Sequence, residues 1–279
     1  MISAECNRNF FLLNQSITQT VDFQKLFNPP LSYIYEVFRV AQQVPLFIED
    51  HLERFFNTTK LSGLEPGVDY DQLLDYIHQV IAVNPPGAGN MKLALYYNQE
   101  DSRQLFVYFT PHQYPSQTQF EQGVDVELYF AERENPNAKV MHTVMRKSTD
   151  EVKNQHEVYE VLLVDRQGFI TEGSRSNVFF IRNNQLITPP ADTVLEGITR
   201  KQILRLCDLH NIQWIEEKVS HTTLSDFDAL FISGTSRRVL PVKKVNEQHF
   251  AVSHQLMHQL QLLFEKKVED YIVLKKNPK

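Results

Sequence analysis

The chain holds only two cysteines, Cys6 and Cys207, too few for a disulfide framework, and their scarcity points to a reducing compartment. No apolar run approaches the roughly 20 residues that a membrane-spanning helix needs. The segment Met1 to Asn9 has no basic stretch leading into an apolar one, so no secretory leader is expected there. Basic residues form no stripe and the formal net charge is −6, which argues against binding to nucleic-acid phosphates. Internal repeats and low-complexity tracts are missing. So are the Walker phosphate loop, the Gly-x-Gly-x-x-Gly fingerprint and the Gly-x-Ser-x-Gly elbow. His254 and His258 stand four apart, but no Glu follows the first and no third ligand offers itself. They read as helix-surface histidines, and no metal site is expected.

What is present is ordinary globular material. Of 279 residues, 42% are hydrophobic and 22% charged, enough for one large or two medium domains with real cores, and the cytoplasm is the expected home. Ile34 to Val40 is β-branched and aromatic and reads as a strand. Glu49 to Leu61 reads as a helix with Leu52, Phe55, Phe56 and Thr59 on one face and Gly63 as its stop. Tyr70 to Val83 reads as a second helix, closed by Asn84-Pro85-Pro86-Gly87. Met91 to Tyr97 and Gln104 to Thr110 read as a strand pair. The aperiodic stretch around residues 113–116 reads as a linker, giving an N-terminal domain 1–112 and a C-terminal domain 117–279.

The second half reads as a strand (Val124 to Phe130), a loop (Asn135-Pro136-Asn137) and a polar helix (about Met145 to His156). Two hairpins follow, Tyr159 to Val164 with Phe169 to Thr171, and Asn177 to Ile181 with Gln185 to Ile187. Thr199 to His210 reads as a helix, and Gln213 to Val219 and Ala229 to Ile232 read as strands. Val252, Leu256, Leu260, Leu263 and Phe264 form the stripe of a closing helix. The fold class is α+β, with strands too short and hairpin-rich for a doubly wound sheet.

Several residue types carry possible chemistry. Glu172 sits in a tight turn after a buried-looking strand; alone it would read as a surface turn acid. Gly197-Ile198-Thr199 opens a helix, where free N–H groups and the positive helix end favour a phosphate; Thr199 alone would read as a capping residue. Ser233-Gly234-Thr235-Ser236 is a small-residue turn that can form an anion-binding concavity or be an unremarkable turn. His51 and Arg54 share a helix face, and an arginine fork can grip a phosphate, although helix arginines are mostly just solvated. Three lysines, Lys139, Lys147 and Lys153, lie between the expected linker and Glu172.

Taken in order, these patches resemble the class IV aminotransferases, the fold-type IV enzymes of pyridoxal 5'-phosphate. That family includes branched-chain and D-amino-acid aminotransferases and aminodeoxychorismate lyase. The resemblance rests on Tyr35-Glu36-Val37-Phe38-Arg39-Val40, His51-Leu52-Glu53-Arg54, Thr171-Glu172-Gly173-Ser174-Arg175-Ser176-Asn177, Leu195-Glu196-Gly197-Ile198-Thr199 and Ser233-Gly234-Thr235. It implies a small N-terminal α/β domain, a larger C-terminal domain, the cofactor in the cleft between them, and a homodimer.

By the same resemblance Glu172 faces the pyridine nitrogen, with Ser176 and Asn177 beside it. Leu195 and Ile198 pack on the ring, Ile198 and Thr199 hold the phosphate, and Arg54, Gly234 and Thr235 complete its grip. Tyr35 faces the substrate, and Arg39 and Arg175 are further candidates there. The family places a helix, a strand and a turn between its cofactor-bonding lysine and the acid, more than about twenty residues. Lys139 precedes the polar helix and leaves room for all three; Lys147 would have to start the helix itself and is the reserve. The expected reaction is transamination between an amino acid and a 2-oxo acid. The lyase reaction, giving 4-aminobenzoate and pyruvate, is the alternative, and a non-catalytic relative is a third reading. Leu95 to Asp101 lacks the arginine with which D-amino-acid enzymes hold the α-carboxylate, which disfavours that substrate class.

Overall fold

The computed structural model describes residues 5–133 and 136–277; Asn135 of the expected loop lies outside them. The chain divides into two compact units. The first runs to Gln113 and also takes Ala138–Thr143 and the chain from Glu269; the second comprises Tyr114–Asn137 and Val144–Val268. The long segment of the first unit ends at the expected linker, while the chain from 117 onward is shared between the two units, and Lys139 lies in the first.

In chain order the elements begin with β1 (Phe10–Leu13), β2 (Ser16–Gln19), α1 (Phe23–Leu26), β3 (Ser32–Ala41) and β4 (Val44–Pro45). Next come α2 (Ile48–Leu61), α3 (Tyr70–Val83), β5 (Gly89–Tyr97), β6 (Arg103–Thr110), α4 (Gln117–Gln122) and β7 (Val124–Phe130). β8 (Val140–His142), α5 (Thr143–Gln155), β9 (Glu160–Val164), β10 (Phe169–Gly173), β11 (Asn177–Arg182) and β12 (Gln185–Thr188) follow. The last are α6 (Ile198–Leu209), β13 (Trp214–Glu216), β14 (Val219–Ser220), β15 (Ala229–Gly234), β16 (Arg238–Val245), β17 (Gln248–His249) and α7 (Gln255–Lys276).

The first unit is built on an antiparallel sheet ordered β2-β1-β6-β5-β3-β4, with β8 also paired to β3. That β8 pairing is what returns Lys139 to this unit. Both faces of the sheet are buried, so β5 is buried nearly throughout, Asn90 and Lys92 included, instead of alternating. Ile34, Phe38 and Val40 of β3 pack with Leu52 and Phe55 of α2 and Leu73 and Ile77 of α3. The alternate positions Tyr33 and Tyr35 join an aromatic cluster with Phe11, Phe23, Phe106 and Tyr108. α3 starts at a reciprocal cap in which Asp69 accepts from the Gln72 N–H and Gln72 Oε1 accepts from the Asp69 N–H. At its other end Asn84 Nδ2 donates to the Val80 carbonyl, and Pro85 prevents continuation.

The second unit carries a ten-stranded sheet ordered β13-β12-β11-β15-β16-β7-β9-β10-β14, with β17 on β16. β7 runs parallel to both β16 and β9, and β12 parallel to β13. Its core includes Val124, Leu162, Val178, Phe180, Ile232 and Leu240. The single strand expected over Gln213 to Val219 is instead two. β13 pairs with β12 and β14 with β10, at opposite ends of the sheet. β16 was not expected, because Pro241 interrupts its pattern; it nevertheless sits inside the sheet with Pro241 opposite Phe231. In α7, Leu256, Leu260 and Phe264 are buried and Leu263 half-buried, while Val252 lies before the helix. His254 also precedes α7, where its Nδ1 accepts from the Leu256 N–H at 3.2 Å. The α+β class read from the sequence is the observed one.

Candidate active site

Two groups of the expected residues assemble, one within each unit. In the first unit α2 presents His51 and Arg54 to Glu36 of β3, and Thr58 to Lys139 just before β8. Arg54 donates through Nε and Nη2 to the two Glu36 carboxylate oxygens, both at 2.7 Å. His51 Nδ1 lies 2.9 Å from Glu36 Oε2. Glu36 is fully buried. Burial pushes its carboxyl pKa up, but the Arg54 charge and hydrogen bonds, with those of His51, outweigh this and bring it down to about 2. Burial lowers the His51 pKa, against the opposing pull of Glu36.

Lys139 joins this group through its backbone and its amine. The Tyr35 N–H donates to the Lys139 carbonyl at 3.1 Å, and the Lys139 N–H donates to Thr58 Oγ1 at 3.3 Å. Its Nζ stands 4.9 Å from the centroid of the buried Tyr35 ring, and its charge reaches His51. Lys147 is 79% exposed and faces Glu151 one helical turn on, while Lys153 Nζ is 2.8 Å from Asp150. Of the three lysines, Lys139 alone sits with Arg54 and Tyr35. Arg39 lies half-buried on β3, opposite Asn90.

In the second unit Glu172 closes β10 and is only 3% exposed. Its Oε1 lies 3.1 Å from Arg133 Nε, and its Oε2 accepts from the Leu195 N–H at 3.2 Å. Asn177 Nδ2 donates to the Leu195 carbonyl at 2.8 Å, so Leu195 is held at both ends of its peptide. Gly197 follows, and a Cβ there would fall 2.0 Å from Asn177 Oδ1. Only glycine lets the chain pass Asn177 and enter α6. The helix opens at once with Ile198 and Thr199, both buried, and no side chain of Gly197 can cap its first N–H groups. Buried Arg200 fastens that first turn by donating to the Pro189 carbonyl and to Glu216 Oε1.

Gly234 ends β15, and the turn Gly234–Arg237 closes with an Arg237 N–H to Gly234 carbonyl bond of 3.1 Å. Before it, the fully buried Ser233 Oγ has no hydrogen-bond partner among the described residues. The Ser176 hydroxyl, like that of Ser174, donates to Glu160. Arg175 pairs with Asp150 of α5. Glu36, Arg133, Glu160 and Arg237 were not singled out from the sequence. Each makes its contact across a long sequence separation, and no local pattern announces it.

The groups of the second unit fit a phosphorylated pyridine cofactor. A buried carboxylate, a glycine-opened helix start and an orphaned hydroxyl beside a small-residue turn are the features a protonated ring and a phosphate require. No helix among the described residues is long and apolar enough to cross a membrane, and no cluster of three metal-binding side chains occurs among them.

The family model for amino-transferase class IV matches residues 33–245. D-alanine aminotransferase of Bacillus licheniformis is 24% identical over 229 residues, covering 77% of this chain and 79% of its own. The fold of Escherichia coli branched-chain amino acid aminotransferase superimposes with a TM-score of 0.84 at 19% identity, over 94% of this chain and 95% of that one. The T.th. branched-chain amino acid aminotransferase, solved with pyridoxamine 5'-phosphate, matches with a TM-score of 0.82 at 18% identity, over 97% and 96%. The chain belongs to the class IV aminotransferases. It is an enzyme, a transaminase that takes amino-acid and 2-oxo-acid substrates.

Proposed function

We propose that the protein binds pyridoxal 5'-phosphate and uses Lys139 and Glu172 on that one cofactor to exchange an amino group between an amino acid and a 2-oxo acid. The observation that carries this reading is the placement of Glu172, a buried acid bonded to the Leu195 N–H immediately before α6 opens. When bound, the cofactor withdraws electrons from the substrate Cα. Glu172 supplies the negative charge for the ring nitrogen. Leu195 and Ile198 line the ring, with Asn177 holding Leu195 in place. Arg54, the N–H groups of Ile198 and Thr199, and the Gly234–Thr235 turn take the phosphate. Lys139 would hold the cofactor covalently, and its amine would be the group that takes and returns the Cα proton. Tyr35, against whose ring that amine rests, bounds the substrate position.

Arg39 and Arg175 are candidates for the substrate carboxylate. Arg39 lies two strand positions beyond Val37 on the same face as Tyr35, and Arg175 lies in the turn that follows Glu172. A homodimer and a cytoplasmic setting belong to the same proposal; both free cysteines are buried and unbridged. The names of the relatives favour amino transfer over the lyase reaction.

The test supplies purified protein with pyridoxal phosphate and offers L- and D-amino acids singly with a 2-oxo acid. Oxo-acid-dependent amino transfer is expected. Release of pyruvate and 4-aminobenzoate from aminodeoxychorismate, with no transfer in any pairing, overturns the reading in favour of the lyase.

A further inference from the structure

Glu160, at the start of β9, is a fully buried carboxylate that the proposed chemistry does not use. Its Oε1 accepts from Ser174 Oγ at 2.5 Å and from the Val161 N–H at 3.0 Å. Its Oε2 accepts from Ser176 Oγ at 3.3 Å and faces Arg237 Nη2 at 3.0 Å. Ser174 and Ser176 belong to the turn Gly173–Ser176 that follows Glu172. Arg237 closes the turn that contains Gly234 and Thr235. Arg237 reaches the first turn a second time, donating through Nη1 to the Arg175 carbonyl at 3.1 Å, and its guanidinium lies 5.5 Å from the centroid of the Tyr159 ring. The two turns are also packed backbone to backbone: a Cβ on Gly234 would stand 3.5 Å from the Arg175 carbonyl oxygen. At Gly173 a Cβ would meet Ser176 Oγ at 2.0 Å and Glu160 Cγ at 3.2 Å, so the first turn is closed tightly over the buried acid.

A buried carboxylate with this many partners is costly to assemble and rigid once assembled. A surface loop needs no such anchor. Here the anchor joins two turns with different tasks, one following directly on the acid for the cofactor ring and one carrying the grip on the phosphate. We propose that Glu160 and Arg237 are positioning residues that set the spacing between Glu172 and the Gly234–Thr235 turn, so that ring and phosphate are held at once. The partners of both residues are protein groups. The pair acts through the backbone that it fastens, as outer partners orient the ligands of a metal. This inference rests on the function proposed above.

The proposal separates from a general stabilising role by the phosphate. Pyridoxal, which lacks it, needs the ring contacts but not their spacing from the phosphate turn. The experiment titrates the full chain, freed of cofactor, with pyridoxal phosphate and with pyridoxal, following absorbance, and records the thermal midpoint of each variant. Glu160→Gln keeps the shape and removes the charge. Its Kd for pyridoxal phosphate is expected to rise about tenfold and its Kd for pyridoxal much less, so that the preference for the phosphorylated form narrows.

Arg237→Lys keeps the charge but cannot reach Glu160 and the Arg175 carbonyl together. It is expected to move the preference the same way, and it decides the matter if Glu160→Gln does not fold. A folded variant with a lowered midpoint and an unchanged ratio of the two Kd values overturns the proposal. Wild-type protein that binds neither compound overturns the proposed function itself, and the positioning role falls with it.

Discussion

Glu36 grips Arg54 at two points, Nε to Oε1 and Nη2 to Oε2, each at 2.7 Å. A planar guanidinium held in this forked way cannot turn about its own axis, so its outward edge has one direction. An arginine that would otherwise be a mobile helix-surface charge becomes a fixed one, suited to an anion that must not drift.

The pair sets a pH dependence. Glu36 titrates near 4.5 when exposed and at about 2 in the fold. A carboxyl with a lowered folded pKa stabilises the protein fully above its unfolded value, and that contribution is lost as pH falls from about 4.5 toward about 2. Glu36→Gln leaves Arg54 buried without its counter-charge and is expected to cost about 3–5 kcal/mol at neutral pH. Its denaturation midpoint should also change less than that of the wild type between pH 4.5 and pH 2. Urea titrations across that range check this; parallel profiles for the two proteins contradict it.

Arg133 pairs with Glu172 as an ion pair, Nε 3.1 Å from Oε1, and its side chain is mostly buried. Arg133→Met keeps the apolar stem and removes the charge from beside the acid. Stability is expected to fall by about 1–3 kcal/mol and kcat/KM by about tenfold or more. Steady-state kinetics beside a thermal melt provide the check; unaltered kinetics in a destabilised variant place Arg133 outside the site.

Gly197→Ala asks whether the start of α6 is as tight as it looks. The new methyl would sit 2.0 Å from Asn177 Oδ1, which must then give up its place beside Leu195. A loss of about 1–3 kcal/mol is expected, with weaker cofactor binding. The double variant Gly197→Ala with Asn177→Gly should regain part of the stability, because it removes the clash. If the single variant behaves as wild type in melts and in cofactor titration, the close packing is not required.

Much of the fold was readable because local signals agreed with one another. α3 begins and ends where the sequence placed it, since Asp69 and Gln72 cap one end and Pro85 closes the other. β7 was equally plain. The strand expected over Gln213 to Val219 failed because Glu217 and Lys218 break it, and its halves serve different partners. β16 went unread because a proline argues locally against an interior strand, while burial between β15 and β7 overrides that preference. Within the site, Glu172, Asn177, Leu195 and Thr199 were legible as a run of residue types. Their supports were not. Glu36 reaches Arg54 across 18 positions, and Arg133 reaches Glu172, and Arg237 reaches Glu160, across still longer stretches. Ser176 was marked by the motif, but the bond of its hydroxyl to Glu160 was not readable from it.

Glu172→Gln keeps the size of the side chain and removes its charge. If the acid keeps a ring nitrogen protonated, the variant should bind the cofactor and fold normally, yet lose about 10²-fold or more in kcat. Single-turnover amino transfer measures this directly; a rate within a factor of two of wild type assigns Glu172 no electrostatic part.

The central claim is that Lys139 is the amine that bonds the cofactor. Borohydride reduction of the protein incubated with pyridoxal phosphate, followed by proteolysis and mass spectrometry, fixes the attached group to one side chain. The account predicts the phosphopyridoxyl mass on Lys139 and its disappearance in Lys139→Ala. The same mass on Lys147 or Lys153, with Lys139 unmodified, contradicts it.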